Sequence, residues 1–270
     1  MSVPIPVPAS GASILAASPA DVVRTAGCAP VGAVSPACSV PACFVPACSV
    51  PACSVPAAGR VAAPLVATAR ILAELAESKP PGLVVEIGSI KAPVAGELAA
   101  LRDAGVAVAS IHPMFGPDVR LLAGRHVILV DIGAPGPLAA ARALFEQTSA
   151  GLAEMSLEQH DRLVAWVLGL SHATNIAFFT ALAGSGRGVA ELAAFASTTF
   201  GAQLRVAARV AQENPELYFE IQSTNPHSGE PLRALSAAAA AVEQAVRSGD
   251  GAAFAALMRA GAHYLEEAAG

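Results

Sequence analysis

Charge is scarce in this chain, at 14% of residues, and aromatic side chains are scarcer still, at 4%. The 16 lysines and arginines are scattered rather than massed and the net charge is -5, so the cationic footprint that captures a phosphate backbone is missing. No nucleic-acid partner is expected, and a small-molecule partner fits better. Cysteine is confined to residues 1–57, and its odd count of five argues against a disulfide framework. The amino terminus "MSVPIPVPAS" has no basic region and is broken by prolines where a secretory signal needs a continuous apolar stretch. On the reading that no uncharged apolar run reaches about 18 residues, a membrane-spanning helix is not expected either. The expected location is cytoplasmic.

What the chain does have is apolar bulk: 54% of its 270 residues are hydrophobic, enough to bury a core in one large domain or two ordinary ones. Residues 1–57 stand apart, with ten of the 21 prolines, one aromatic (Phe44) and two charges (Asp21 and Arg24). Within them "PACSVPACFVPACSVPACSVP" repeats a pentad, and a proline every fifth residue breaks helix propagation and removes strand donors. This segment is expected to be low-complexity and disordered. Cys38, Cys43, Cys48 and Cys53 are too evenly spaced for the paired knuckles of a zinc site, so no metal is expected.

After Pro56 helix and strand patterns alternate. "VAAPLVATARILAELAES" (61–78) reads as an amphipathic helix with Pro64 in its first turn, and "GLVVEIGS" (82–89) as a buried strand. "APVAGELAALRDAG" reads as a helix and "VAVASI" as the next strand, followed directly by "HPMFGP" (112–117). "HVILVD" and "PLAAARALFEQT" add a third strand and another helix. Such alternation implies a parallel sheet over 58–155. Ligands of open α/β sheets sit beyond the carboxyl ends of strands, which is where His112 is expected.

From Ser156 the strand patterns stop. Ser156 with Gln159 forms a capping-box signature that opens a long helix through "LEQHDRLVAWVLGLSHATNIAFFTALA", and Asn214 with Pro215 starts a later one. Residues 156–270 are expected to form an all-α domain. His160 and His172 are twelve apart on the long helix, so roughly 120° around its axis, and are not expected to share a metal. "GSGRGV" (184–189) lies between two helices and reads as a loop rather than a phosphate cradle.

Five ordered segments, "VVEIGSIKAP" (84–93), "HPMFGP", "LEQHD" (157–161), "GLSHATNIAF" (169–178) and "LRVAARVAQENPELY" (204–218), resemble the prephenate dehydrogenase family from about residue 53 to the end. The resemblance implies a Rossmann-like domain followed by a helical dimerisation domain, a homodimer, and NAD- or NADP-dependent oxidative decarboxylation of prephenate or arogenate in tyrosine biosynthesis. It makes His112 the base for the ring hydroxyl, with Ser89 helping to hold both; the competing reading of Ser89 is a helix N-cap. Lys91 is placed near the nicotinamide or a substrate carboxylate. Arg209, ten residues before the "LY" counted inclusively, is implied as the carboxylate ligand, with Arg205 on the same helix face and His172 near the substrate. His160 with Asp161 matches the pair that opens the long helix.

The chain departs from the family in one respect: no strand, Gly-x-Gly-x-x-Gly turn and helix precedes these segments. Two strand-helix units of the Rossmann-like domain are missing, and the pentad tract reads as an expansion inside the strand before the first helix. Weak cofactor binding follows as an expectation, as does the alternative of an impaired remnant that only binds a carboxylate ligand or dimerises.

Overall fold

The computed structural model describes residues 58–61, 65–116 and 119–267; the pentad tract and the disorder expected of it lie outside them. The described residues all belong to a unit spanning 43–270. Its first half contains β1 (Ala58–Val61), α1 (Leu65–Ser78), β2 (Leu83–Glu86), α2 (Ala95–Asp103), β3 (Val108–Pro113), β4 (His126–Asp131), α3 (Pro135–Ala143) and β5 (Gly151–Ser156). The second half is helical: α4 (Leu157–Val164), a π-turn (Ala165–Leu170), α5 (Ser171–Gly184), α6 (Val189–Ala194), α7 (Thr198–Val210), α8 (Pro215–Thr224), α9 (Gly229–Ser248) and α10 (Gly251–Glu267).

The strands form one sheet in the order β1-β2-β3-β4-β5. The wholly parallel sheet expected from the alternation is corrected, because β3 and β4 pair antiparallel while the other three pairs are parallel. The reason is local. A parallel return needs a crossover of a dozen or more residues, usually a helix, and among the described residues no helix separates β3 from β4, so β4 enters from the opposite end. Strand β5 was not expected from the sequence; it is half-exposed and lacks the apolar run that marks β2 and β3.

Period-two alternation sorts the sheet's side chains on to two faces. Leu83, Val85, Ala109, Ile111, Val127 and Leu129 pack with Leu138 and Ala141 of α3. Val84 and Val108 pack on the other face with Leu72 of α1 and Leu98 and Leu101 of α2. Continuing that second face toward the carboxyl ends brings Glu86 on β2 and Ser110 and His112 on β3, where polar groups replace the apolar ones.

Helix α4, the π-turn and α5 run on as one continuous helix, Leu157–Gly184, which is long and apolar enough by length and composition to cross a membrane. That corrects the expectation of no such run: between Arg162 and Arg187 there is no charged residue or proline. Its first turns are held in protein, since Val164 packs with Ile90 and Ile221 and the capping box of Ser156 and Gln159 is formed at its start. Asn214 accepts from the amides of Glu216 and Leu217, capping α8.

Candidate active site

His112 is not in the loop after β3 but inside the strand, opposite Ile128 of β4 and only 4% exposed. Its Nδ1 lies 2.9 Å from Nε2 of His160, and His160 Nδ1 lies 2.7 Å from Asp161 Oδ1. The Asp161 carboxylate also accepts the main-chain N–H groups of Lys91, at 3.0 Å, and Ala92, at 2.7 Å. Asn225, at the end of α8, donates to the Asp161 carbonyl and ties the helical half to the same point. Three other stretches of chain thus converge behind one imidazole.

A second buried group supports them. Lys91 Nζ, fully buried, sits 2.8 Å from Glu86 Oε2 and donates to the Ile111 carbonyl, also at 2.8 Å. Ser110 donates to the same Glu86 oxygen at 2.7 Å, and the Gly88 amide donates to the other. A side chain at position 88 would strike that carboxylate, so glycine here permits the close turn after β2. The placement of Lys91 against a nicotinamide or substrate carboxylate is therefore corrected: its ammonium is consumed inside the protein by Glu86 and a strand carbonyl.

Ser89 lies three residues beyond Glu86, and His112 two beyond its register partner Ser110, so both stand at the same end of neighbouring parallel strands. Ser89 is half-buried and caps no helix: the short helical turn that follows has Lys91 at its N-cap position and no side-chain cap. The N-cap alternative is thereby removed.

Burial pushes His112 well below the usual imidazole value, and the Lys91 charge and His160 push the same way. Burial also lowers His160, against the opposing pull of Asp161. For Asp161 burial acts upward, but the His160 contact and the two amides outweigh it and hold the carboxyl below its ordinary range. Lys91 is lowered by burial, with Glu86 opposing. The site is thus a neutral imidazole pair backed by an ionised carboxylate.

These shifts have a stability consequence. Folded His112 and His160 bind fewer protons than the unfolded chain does below about pH 6.5, so folding stability falls as pH drops through that value. Each contributes a slope of up to about 1.4 kcal/mol per pH unit, with the Asp161 contribution lost further into acid. Denaturant melts at neutral pH and at about pH 5.5 should show a clearly lower midpoint in acid; equal midpoints would contradict neutral buried histidines.

A second cluster lies in the helical half. His172 of α5 stacks on Tyr218 of α8 with ring centroids 4.1 Å apart, and its Nδ1 is buried without a hydrogen-bond partner among the described residues. Burial lowers His172. Tyr218 is pushed up by burial and Glu213 while Arg209 opposes, so Arg209 of α7 belongs to this neighbourhood. Arg209 and Arg205 are both exposed on one face of α7. The 120° separation expected for His160 and His172 assumed a regular helix; the intervening π-turn breaks that phase.

Sequence reasoning noted the His160–Asp161 pair without giving it a role in the site, and missed Glu86 and Ser110. The available signals were a lone acid in the buried strand "LVVE" and a histidine-aspartate pair one turn after a capping box.

Residues 59–154 match the family described as prephenate dehydrogenase, nucleotide-binding domain, and residues 156–260 match prephenate dehydrogenase, dimerization domain. The chain is 34% identical over 184 residues to 4-amino-4-deoxyprephenate dehydrogenase of Streptomyces pristinaespiralis, covering 66% of this chain and 60% of that protein. It is 28% identical over 210 residues to a Methanocaldococcus jannaschii protein named "probable arogenate/prephenate dehydrogenase", covering 76% of this chain and 47% of that one. In fold it is similar to prephenate dehydrogenase of A. aeolicus, solved with hydroxyphenyl propionate and NAD+, at a TM-score of 0.61, 18% identity and coverage of 77% and 75%. Synechocystis arogenate dehydrogenase gives a TM-score of 0.60 at 19% identity, with 77% of each chain covered. A nucleotide-binding α/β half followed by a helical dimerisation half is the class these matches define. The chain belongs to the prephenate dehydrogenase family.

Proposed function

We propose that the protein is a dehydrogenase that oxidatively decarboxylates a prephenate-type ring acid. The observation that carries this reading is His112: a buried, neutral imidazole at the carboxyl end of β3, with Nδ1 engaged by His160. Its Nε2 makes no hydrogen bond among the described residues and is not one of the fully enclosed polar atoms, so it is the ring nitrogen open to a ligand.

The residues fit the nicotinamide end of NAD or NADP, because Ser89 stands half-buried and uncapped at the adjoining strand end. The described residues contain no glycine-rich turn running from a strand into a long helix, so no pyrophosphate contact is assigned. When bound, NAD(P) would accept hydride from the ring carbon that carries the hydroxyl, and loss of carbon dioxide leaves an aromatic ring. His112 takes the hydroxyl proton, and Ser89 orients that hydroxyl by a hydrogen bond. The relative from Streptomyces pristinaespiralis makes an amino group at the same ring position an alternative to the hydroxyl. A neutral imidazole accepts a proton from either.

Arg209, exposed beside the His172–Tyr218 stack, supplies a guanidinium for a substrate carboxylate, with Arg205 four residues away on the same face. Homodimerisation through the helical half is supported by its exposed apolar side chains, among them Trp166, Val246, Phe254 and Met258.

The reading is tested by following formation of reduced nicotinamide with prephenate, arogenate and the 4-amino analogue at millimolar cofactor. Arg209→Ala is expected to raise KM at least about tenfold with little change in kcat, because a carboxylate contact remote from the reacting carbon acts alike in ground and transition states. A fall in kcat at constant KM would remove Arg209 from substrate binding. No turnover with any of the three substrates would overturn the dehydrogenase reading.

A further inference from the structure

We propose that His160 and Asp161 are positioning residues which fix His112 as its Nδ1–H tautomer, leaving Nε2 as the proton acceptor. The inference rests on the dehydrogenase reading only for what that acceptor acts upon.

The tautomer follows from counting donors and acceptors along the chain of contacts. Both Asp161 oxygens already accept main-chain N–H groups, from Lys91 and Ala92, and an ionised carboxylate has nothing to donate. The 2.7 Å contact to His160 Nδ1 therefore requires that nitrogen to carry the proton. A neutral imidazole has only one N–H, so His160 Nε2 holds a lone pair. The 2.9 Å contact to His112 Nδ1 then requires a proton on His112 Nδ1. The lone pair of His112 is left on Nε2, the ring nitrogen for which no hydrogen bond is formed among the described residues.

The opposite polarity needs a protonated His160 donating from both nitrogens, which would turn His112 Nε2 into a donor. Two imidazoles that are 0% and 4% exposed, within one cluster with the Lys91 ammonium, disfavour that extra charge. The groups that set this balance are Glu86 on β2, Lys91 after it, Ser110 on β3 and Asp161 on α4. An unconstrained imidazole exchanges between tautomers, and the partner of one nitrogen decides where the proton resides. Only one of the two forms can accept the substrate proton at Nε2, so His160 and Asp161 act on the rate without touching the substrate.

The test is a two-bond proton–nitrogen correlation spectrum of protein labelled with nitrogen-15 histidine, recorded at neutral pH on the full chain. In the unsubstituted protein His112 should show a protonated Nδ1 and an unprotonated Nε2. His160→Leu removes the acceptor and should shift His112 toward Nε2–H, lowering kcat about tenfold or more with KM nearly unchanged. His160→Gln keeps an amide oxygen within reach and should restore the Nδ1–H signal and most of kcat. A protonated Nε2 in the unsubstituted protein overturns the proposal, as does a His112 tautomer indifferent to His160→Leu. If His160→Leu does not fold, the unsubstituted and Gln spectra still decide. Turnover is not needed for the spectrum, so absence of activity would defeat the functional reading without touching this one.

Discussion

Lys91→Met is expected to cost about 3–5 kcal/mol of folding stability, the usual penalty for leaving a buried charge without its partner. Glu86 is wholly buried, and apart from the ammonium it would keep only the Ser110 hydroxyl and the Gly88 amide. The Ile111 carbonyl would lose its side-chain donor as well. Methionine matches the volume of the lysine stem, so the loss reports charge rather than packing. Adding Glu86→Leu should recover most of it, because a buried ion pair replaced as a pair by apolar groups is often near neutral. Denaturant unfolding of the two variants measures both effects. A single-variant cost below about 1 kcal/mol would mean that water reaches Glu86 and that the pair is weakly engaged.

His112→Asn is expected to lower kcat by about a hundredfold or more, as loss of a general base does. Asparagine is smaller and still polar, so it can keep a hydrogen bond toward His160 while providing no nitrogen able to take a proton. Stability should fall less than in Lys91→Met, since no charge is stranded. Steady-state rates with reduced nicotinamide as the signal check this. Activity unchanged by the substitution would remove His112 from the reaction even if the fold and the family stand.

The parts of the fold legible in the sequence are those set by neighbours in the chain. The capping box at Ser156 and the Asn214–Pro215 start of α8 depend on residues three or fewer positions apart, and both are present. The sheet's direction at β4 depended on something absent, a crossover helix between two strands, and composition alone did not show its consequence. The site divides in the same way. His112 was legible from its position after an apolar run, although the strand extends two residues past "VAVASI" and buries it. Lys91 was misread because nothing local shows that "EIGSIK" folds the lysine back on to the glutamate five residues earlier. The connection of His160 to His112 spans 48 residues and two kinds of secondary structure, so no short-range pattern encodes it.

The π-turn at Ala165–Leu170 gives the long helix a rotational offset between its two working ends. His160 serves the strand-end imidazole before the turn, and His172 meets Tyr218 after it. In a regular α-helix each residue advances the direction of projection by about 100°. A single-residue deletion within the turn would therefore swing His172 and the remainder of α5 away from α8 while leaving the contacts of His160 in place. The length of that one turn acts as the angular calibration between the His112–His160 pair on one side and the His172–Tyr218 stack on the other.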